Sequence, residues 1–124
     1  MINMPDGSKP KCTGYHGTIN VSEAIEVSCN YFFYNVGYML SLDGSNGYKS
    51  DLGLKKLSKY ASMFGFDNKS GVEITEYEPK ISDSDSVRSA IGQGTNAYAP
   101  VQISRYLTTL ANSGTVYNLT LIDK

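Results

Sequence analysis

Residues Tyr31 to Tyr34, in the stretch V-S-C-N-Y-F-F-Y, set four aromatic side chains in succession. Neighbouring residues of an α-helix point about 100° apart, so four in a row sweep most of its circumference. A helix that carries them is buried over much of its surface. The residues that follow keep the same period: Phe33, Val36, Gly37 and Leu40 fall at i, i+3, i+4 and i+7, and Phe32 and Met39 widen the stripe. Asn30, just before the aromatics, is the expected N-cap of this helix.

The remaining periodic segments are also helical. Asn20 and Glu23 form a capping-box pair that opens a short helix, with Val21, Ala24, Ile25 and Ser28 on its apolar face. Ser41–Ser50 is a turn cluster. A further helix is predicted from about Asp51 to Phe64 with Leu54, Leu57, Ala61 and Phe64 inward, and Gly65 supplies a left-handed C-terminal residue. Pro100 opens the last helix, whose predicted buried face is Ile103, Leu107, Leu110 and Ala111; Asn112-Ser113-Gly114 closes it. Gly71–Thr75 is a short strand candidate, Glu73–Asp85 an acidic surface loop, and Val116–Leu121 a strand or extended exit. The predicted fold class is mainly α with little strand, and the βαβ alternation of a self-contained α/β domain is missing. Residues 1–19 read as an irregular lead-in and 20–124 as the helical part.

The 124 residues match one domain, and 40% hydrophobic residues can build a core. A net charge of −1 gives no reason to expect a nucleic-acid or anionic-lipid partner. Lys49, Lys55, Lys56 and Lys59, interrupted by Asp51, read as a solvated helix face. No run reaches the ~20 apolar residues of a membrane span, so no membrane segment is expected. Cofactors and metals are not expected either. Cys12-x-x-x-His16 offers two ligands, but the only histidine leaves such a site short. A Cys12–Cys29 disulfide depends on redox compartment and stays open.

Two stretches carry candidate chemistry. In Ala90-Ile91-Gly92-Gln93-Gly94-Thr95-Asn96 the glycines permit positive φ, but no lysine makes a phosphate loop of it; a tight turn in which Gln93 and Asn96 satisfy backbone groups is the plain reading. Ser28-Cys29-Asn30 has two readings. Ser and Asn are favoured at helix boundaries as caps. They are also the S-x-N element of serine chemistry that takes lysine as its base, alongside S-x-x-K and K-[ST]-G.

The order of motifs favours the second reading. Lys11–Gly17 (K-C-T-G-Y-H-G), Val21–Ile25, Ser28–Tyr34, Tyr60-Ala61, Phe64–Phe66, Ser70–Glu73, Ala90–Gly94, Pro100, Gln102, Tyr106 and Ala111–Gly114 together resemble the class B penicillin-binding proteins, the peptidoglycan D,D-transpeptidases. The resemblance spans about residues 11 to 124. It implies a helical subdomain excised from an α/β transpeptidase fold. It implies that Ser28 relays a proton to the leaving amine, and that Asn30 holds the lysine of S-x-x-K and contacts the substrate amide. It also implies stem-peptide and β-lactam partners for the parent protein, at the extracytoplasmic face of the bacterial cell membrane. The nucleophile is not expected in this chain. Ser8-Lys9-Pro10-Lys11 matches S-x-x-K literally but lies too close to Ser28, and Pro10 falls in the first turn of the helix that motif opens. No K-[ST]-G follows Ile91, and Ala99 stands where relatives carry a capping Thr, a difference of about 1 kcal/mol. The competing expectation is a non-enzymatic helical scaffold or partner-binding module, and self-association through an exposed core face is expected in either case.

Overall fold

The computed structural model describes residues 2–44 and 47–123. Their order is α1 (Val21–Glu26), α2 (Asn30–Leu40), α3 (Ser50–Met63), α4 (Ser86–Ser89) and α5 (Pro100–Ala111). Two isolated antiparallel bridges, Leu42 with Tyr48 and Lys80 with Ala97, are the β pairing among the described residues. The expectation of a mainly helical subdomain with little strand holds. Ser45 and Asn46 of the predicted turn cluster lie outside the described residues.

α1 forms because Asn20 Oδ1 accepts from the Glu23 amide at 3.0 Å while Glu23 Oε2 accepts from the Asn20 amide at 2.8 Å, which satisfies two orphan donors at once. Gly65 ends α3 at φ +78 as expected. α4 was not foreseen. Asp85, the last residue of the acidic stretch, is its cap and accepts from the Arg88 amide at 3.0 Å.

α2, α3 and α4 pack around one small core of Ile2, Met4, Tyr34 and Val87, flanked by Tyr31, Tyr38, Tyr48 and Ile91. The aromatic helix is half-buried or buried from Tyr31 to Tyr38, as its sequence demands, with Tyr34 rather than Phe33 innermost. The irregular lead-in also contributes core, through Ile2 and Met4. Two glycines permit the close approach. A Cβ on Gly37 would lie 2.7 Å from the Ser86 carbonyl oxygen, and one on Gly53 would lie 2.0 Å from Ser41 Oγ. That Ser41 hydroxyl is buried, donates to the Gly37 carbonyl at 2.8 Å and lies 2.7 Å from Ser86 Oγ.

Three expectations are corrected. Gly71–Thr75 is not a strand: Ser70 N and Oγ both donate to Glu76 Oε2 at 2.8 Å. Six residues of strand would hold those groups about 20 Å apart, so the clamp excludes extension. Of the two alternatives for Val116–Leu121, a strand or an extended exit, the strand is not formed. The third correction is the orientation of α5. Gln102, Arg105 and Thr109 are buried, while Ile103, Leu107 and Leu110 are 42%, 59% and 52% exposed and Ala111 is exposed too. The cause is the loop after α3, whose carbonyls point at α5. Arg105 donates to the carbonyls of Lys69 (3.0 Å), Asn68 (2.9 Å) and Gly65, and Gln102 Nε2 donates to that of Asn68 at 3.0 Å. Carbonyls that a helix covers need donors, and the polar face of α5, turned in, supplies them while the apolar face turns out.

The predicted apolar face of α1 is likewise uncovered except at Ala24; Val21 and Ile25 are exposed. The accessible surface is 8349 Å², against about 6,500 Å² for a compact chain of this mass. The outward faces of α1 and α5 contribute to that surface.

Candidate active site

α1 stops and α2 starts within three residues. The Ser28 amide donates to the Ile25 carbonyl at 3.1 Å and the Cys29 amide to that of Ala24 at 2.9 Å. These are the two bonds of a Schellman C-terminus, with Ser28 at the left-handed position that usually takes glycine. Its φ is +50. Cys29 follows in extended conformation (φ −71, ψ 99) and is the N-cap of α2. The hydrophobic contact that accompanies this motif has its partners here in Ala24 and Cys29, both buried.

This geometry corrects the capping expectation for Asn30. Asn30 is the first residue of α2, and its side chain makes no hydrogen bond among the described residues. Ser28 is exposed, and its hydroxyl too has no hydrogen bond among them. Both polar side chains of S-x-N are therefore left over by the local fold. Ser28 additionally sits in a backbone conformation that costs an L-residue about 1–2 kcal/mol. Ser28 shares this left-handed conformation with Asp85 (φ +53) and Ser113 (φ +67).

The middle residue of the motif points the other way. Cys29 is buried, and its sulfur gathers with Cys12 Sγ and a ring nitrogen of His16, all within 4.8 Å of one another. Cys12 Sγ is 3.6 Å from His16 Nδ1. Both cysteines are free thiols. The backbone amides of Gly14 and Tyr31, joined by the Cys29 thiol and the Asn30 amide, hold the Cys12 thiol down at about 6. Orphan N–H groups at the start of α2 thus favour a thiolate, as helix N-termini do. An open cleft of about 650 Å³ borders this cluster, walled by Lys11, Tyr15, Tyr31 and Phe32. Sequence reasoning stopped at Cys12 and His16; the third donor, Cys29, comes from a sharp turn that spacing does not reveal.

The A-I-G-Q-G stretch is the expected tight turn, with Gly92 and Gly94 at φ +82 and +85, but the Gln93 side chain satisfies no backbone group among the described residues. Asn96 Oδ1 accepts from the Ser82 amide at 2.8 Å and Asn96 Nδ2 donates to the Gln93 carbonyl at 2.9 Å. Ile91 ties the turn to the core that holds Tyr34. Ser8 to Lys11 is irregular rather than helical.

A Schellman turn that presents unused Ser and Asn side chains ahead of an aromatic helix fits a chain of the penicillin-binding class. The profile of the penicillin binding protein transpeptidase domain matches residues 4–124, and the chain belongs to that family. Among similar proteins, the peptidoglycan D,D-transpeptidase MrdA of Escherichia coli K12 is 28% identical over 116 residues, covering 82% of this chain and 16% of that protein. MrdA of Haemophilus influenzae is 29% identical over 121 residues (86% and 17%). Stage V sporulation protein D of Bacillus subtilis is 27% identical over 121 residues (90% and 17%). The chain thus spans about a sixth of the length of these relatives.

Proposed function

We propose that this chain contributes the S-x-N element of a serine-type peptidoglycan D,D-transpeptidase. In the complete enzyme the serine of S-x-x-K attacks the penultimate D-Ala carbonyl, or a β-lactam carbonyl. The new C–O bond forms as the C–N bond to the leaving group breaks. Ser28 Oγ passes the proton to the departing amine, and the Asn30 amide positions the lysine base and the substrate amide. The observation that supports this reading is the Schellman turn, which strains Ser28 while leaving Ser28 and Asn30 without local partners.

The chain by itself is inactive in this reading, because the S-x-x-K serine and the K-[ST]-G strand lie elsewhere. The parent protein works on stem peptides and binds β-lactams at the extracytoplasmic face of the cell membrane. No helix among the described residues is long and apolar enough to cross a membrane. The outward apolar faces of α1 and α5 support self-association of the isolated chain.

The test is acylation. A fluorescent penicillin should leave the purified chain unlabelled, and stoichiometric covalent labelling refutes the assignment. In the full-length protein, Ser28→Ala should slow acylation by about 100-fold, the lower end of general acid–base contributions. An unchanged rate removes Ser28 from the mechanism.

A further inference from the structure

We propose that Glu73 is a carboxylate latch, and that residues 116–123 form a strap which it holds closed against the loop after α3. The support is independent of the transpeptidase reading: two hydrogen bonds join segments 47 and 48 residues apart in sequence.

One carboxylate takes a hydroxyl and an amide from the strap. Thr120 Oγ1 donates to Glu73 Oε1, and the Leu121 amide donates to Glu73 Oε2 at 2.9 Å. The Thr120 hydroxyl oxygen also accepts from the Ile122 amide at 3.1 Å, which curls the strap around the carboxylate. Just before it, the Leu119 amide donates to the Ser70 carbonyl at 2.8 Å. Gly71 lets the strap lie this close: its φ is +97, and a Cβ there would come within 3.1 Å of Asn118 Cβ.

The two sides differ in what holds them. On the loop side Ser70 is fully buried, its amide and hydroxyl both donate to Glu76 Oε2 at 2.8 Å, and Arg105 grips the neighbouring Lys69 carbonyl at 3.0 Å. On the strap side no residue from Val116 to Asp123 is buried, and only Val116 and Leu119 are half-buried. A segment with few buried contacts and exposed hydrogen bonds opens at little cost. The strap is therefore the moving part and Glu73 its fastening. Leu121 gives the strap something to cover. With Val72, Ile74, Pro100 and Val101 it walls an apolar groove of about 250 Å³, so opening removes one wall and bares the groove.

The fastening is sensitive to protons. The Leu121 amide, and after it the Thr120 hydroxyl, hold the Glu73 carboxyl below its ordinary range. A carboxyl lowered in this way favours the closed form above its ordinary value and loses that contribution as pH falls through the lowered one. Asp123, on the strap itself, is the other charged residue lining the opening beside Glu73 among the described residues. Glu76, three residues along the loop, is engaged by Ser70.

The experiment uses the 124-residue chain. Limited chymotrypsin digestion at neutral pH, read by mass spectrometry, follows opening through cleavage after Tyr117, Leu119 and Leu121. Glu73→Ala should speed that cleavage about five-fold, a modest factor because the latch is exposed, while Glu78→Ala, on the same loop but paired with Lys69, should leave it unchanged. Circular dichroism shows that the variants keep their fold. In the unchanged chain the amide resonances of Leu121 and Ile122 should titrate at a pH below the ordinary glutamate range, and Glu73→Gln should remove that titration while any share from Asp123 stays. Should a variant unfold, the titration of the unchanged chain decides alone. The proposal is overturned if folded Glu73→Ala is cleaved at the parent's rate, or if the Leu121 amide does not respond as Glu73 titrates.

Discussion

Replacing Ser28 with glycine should stabilise this chain, whereas glycine usually destabilises. At φ +50 a residue with a Cβ is worse than glycine by about 1–2 kcal/mol. Glycine's extra freedom in the unfolded chain gives back about 0.5–1 kcal/mol. Ser28 Oγ has no hydrogen bond among the described residues and the side chain is exposed, so nothing else is lost. The net gain is about 0.5–1 kcal/mol, or a rise in Tm of roughly 2–6 °C for a chain of this size. Ser28→Ala keeps both the Cβ and its strain and should shift stability by no more than about 0.5 kcal/mol. Thermal and urea unfolding followed by circular dichroism measure both variants. A loss of 1 kcal/mol or more in Ser28→Ala, at the scale of a lost cap, would make the hydroxyl a structural group and refute the argument. A loss in Ser28→Gly would refute the left-handed turn itself. In the full-length protein the same glycine should raise stability and lower acylation together, the signature of a side chain kept for chemistry at some cost to the fold.

Other outcomes test the rest of the structure. Arg105→Ala should cost about 3 kcal/mol, because the carbonyls of Gly65, Asn68 and Lys69 lose a charged donor in a buried place; a change below 1 kcal/mol in urea unfolding contradicts the inward orientation of α5. Gly53→Ala should destabilise by about 2 kcal/mol by overpacking against Ser41 and Ser86, against the gain of about 1 kcal/mol that helix propensity alone predicts; the sign of the Tm shift decides. In the metal-free, reduced chain, Cys12 should reach its full iodoacetamide reactivity just above its value of about 6, because the thiolate is the reacting form and its amide contacts keep it populated as pH falls to that point. A rate that keeps climbing to the ordinary thiol range would exclude those contacts.

The parts of this fold that were legible in the sequence are those decided within one turn of helix. The Asn20–Glu23 box, the left-handed Gly65 and the opening Pro100 are set by groups three or four residues apart, and each is where its residue type places it. Ala99 has no acceptor to offer, so only the Gln102 half of a box exists at α5, with the Ala99 amide donating to Gln102 Oε1 at 2.8 Å. What misled was the apolar stripe Ile103, Leu107 and Leu110. Periodicity reveals that a face is apolar, not what lies against it. The direction of α5 was decided by carbonyls some 36 to 40 residues away in sequence. The site divides likewise. Ser28 and Asn30 are candidates by motif order, while the Schellman turn that separates them from Cys29, and brings Cys29 to Cys12 and His16, needed coordinates.

The inverted α5 also has a consequence for how substitutions are tolerated along it. At Arg105 a hydrophobic replacement, harmless in an ordinary core, takes the donor from the Lys69 carbonyl, and at Gln102 it takes the acceptor from the Ala99 amide. At Ile103, Leu107 and Leu110 a charged replacement can place its charge in water within this chain. A saturation scan of the isolated chain would thus return a tolerance map opposite to hydropathy. Any departure from that map at the apolar positions in a longer protein would trace the footprint of whatever surface closes over them.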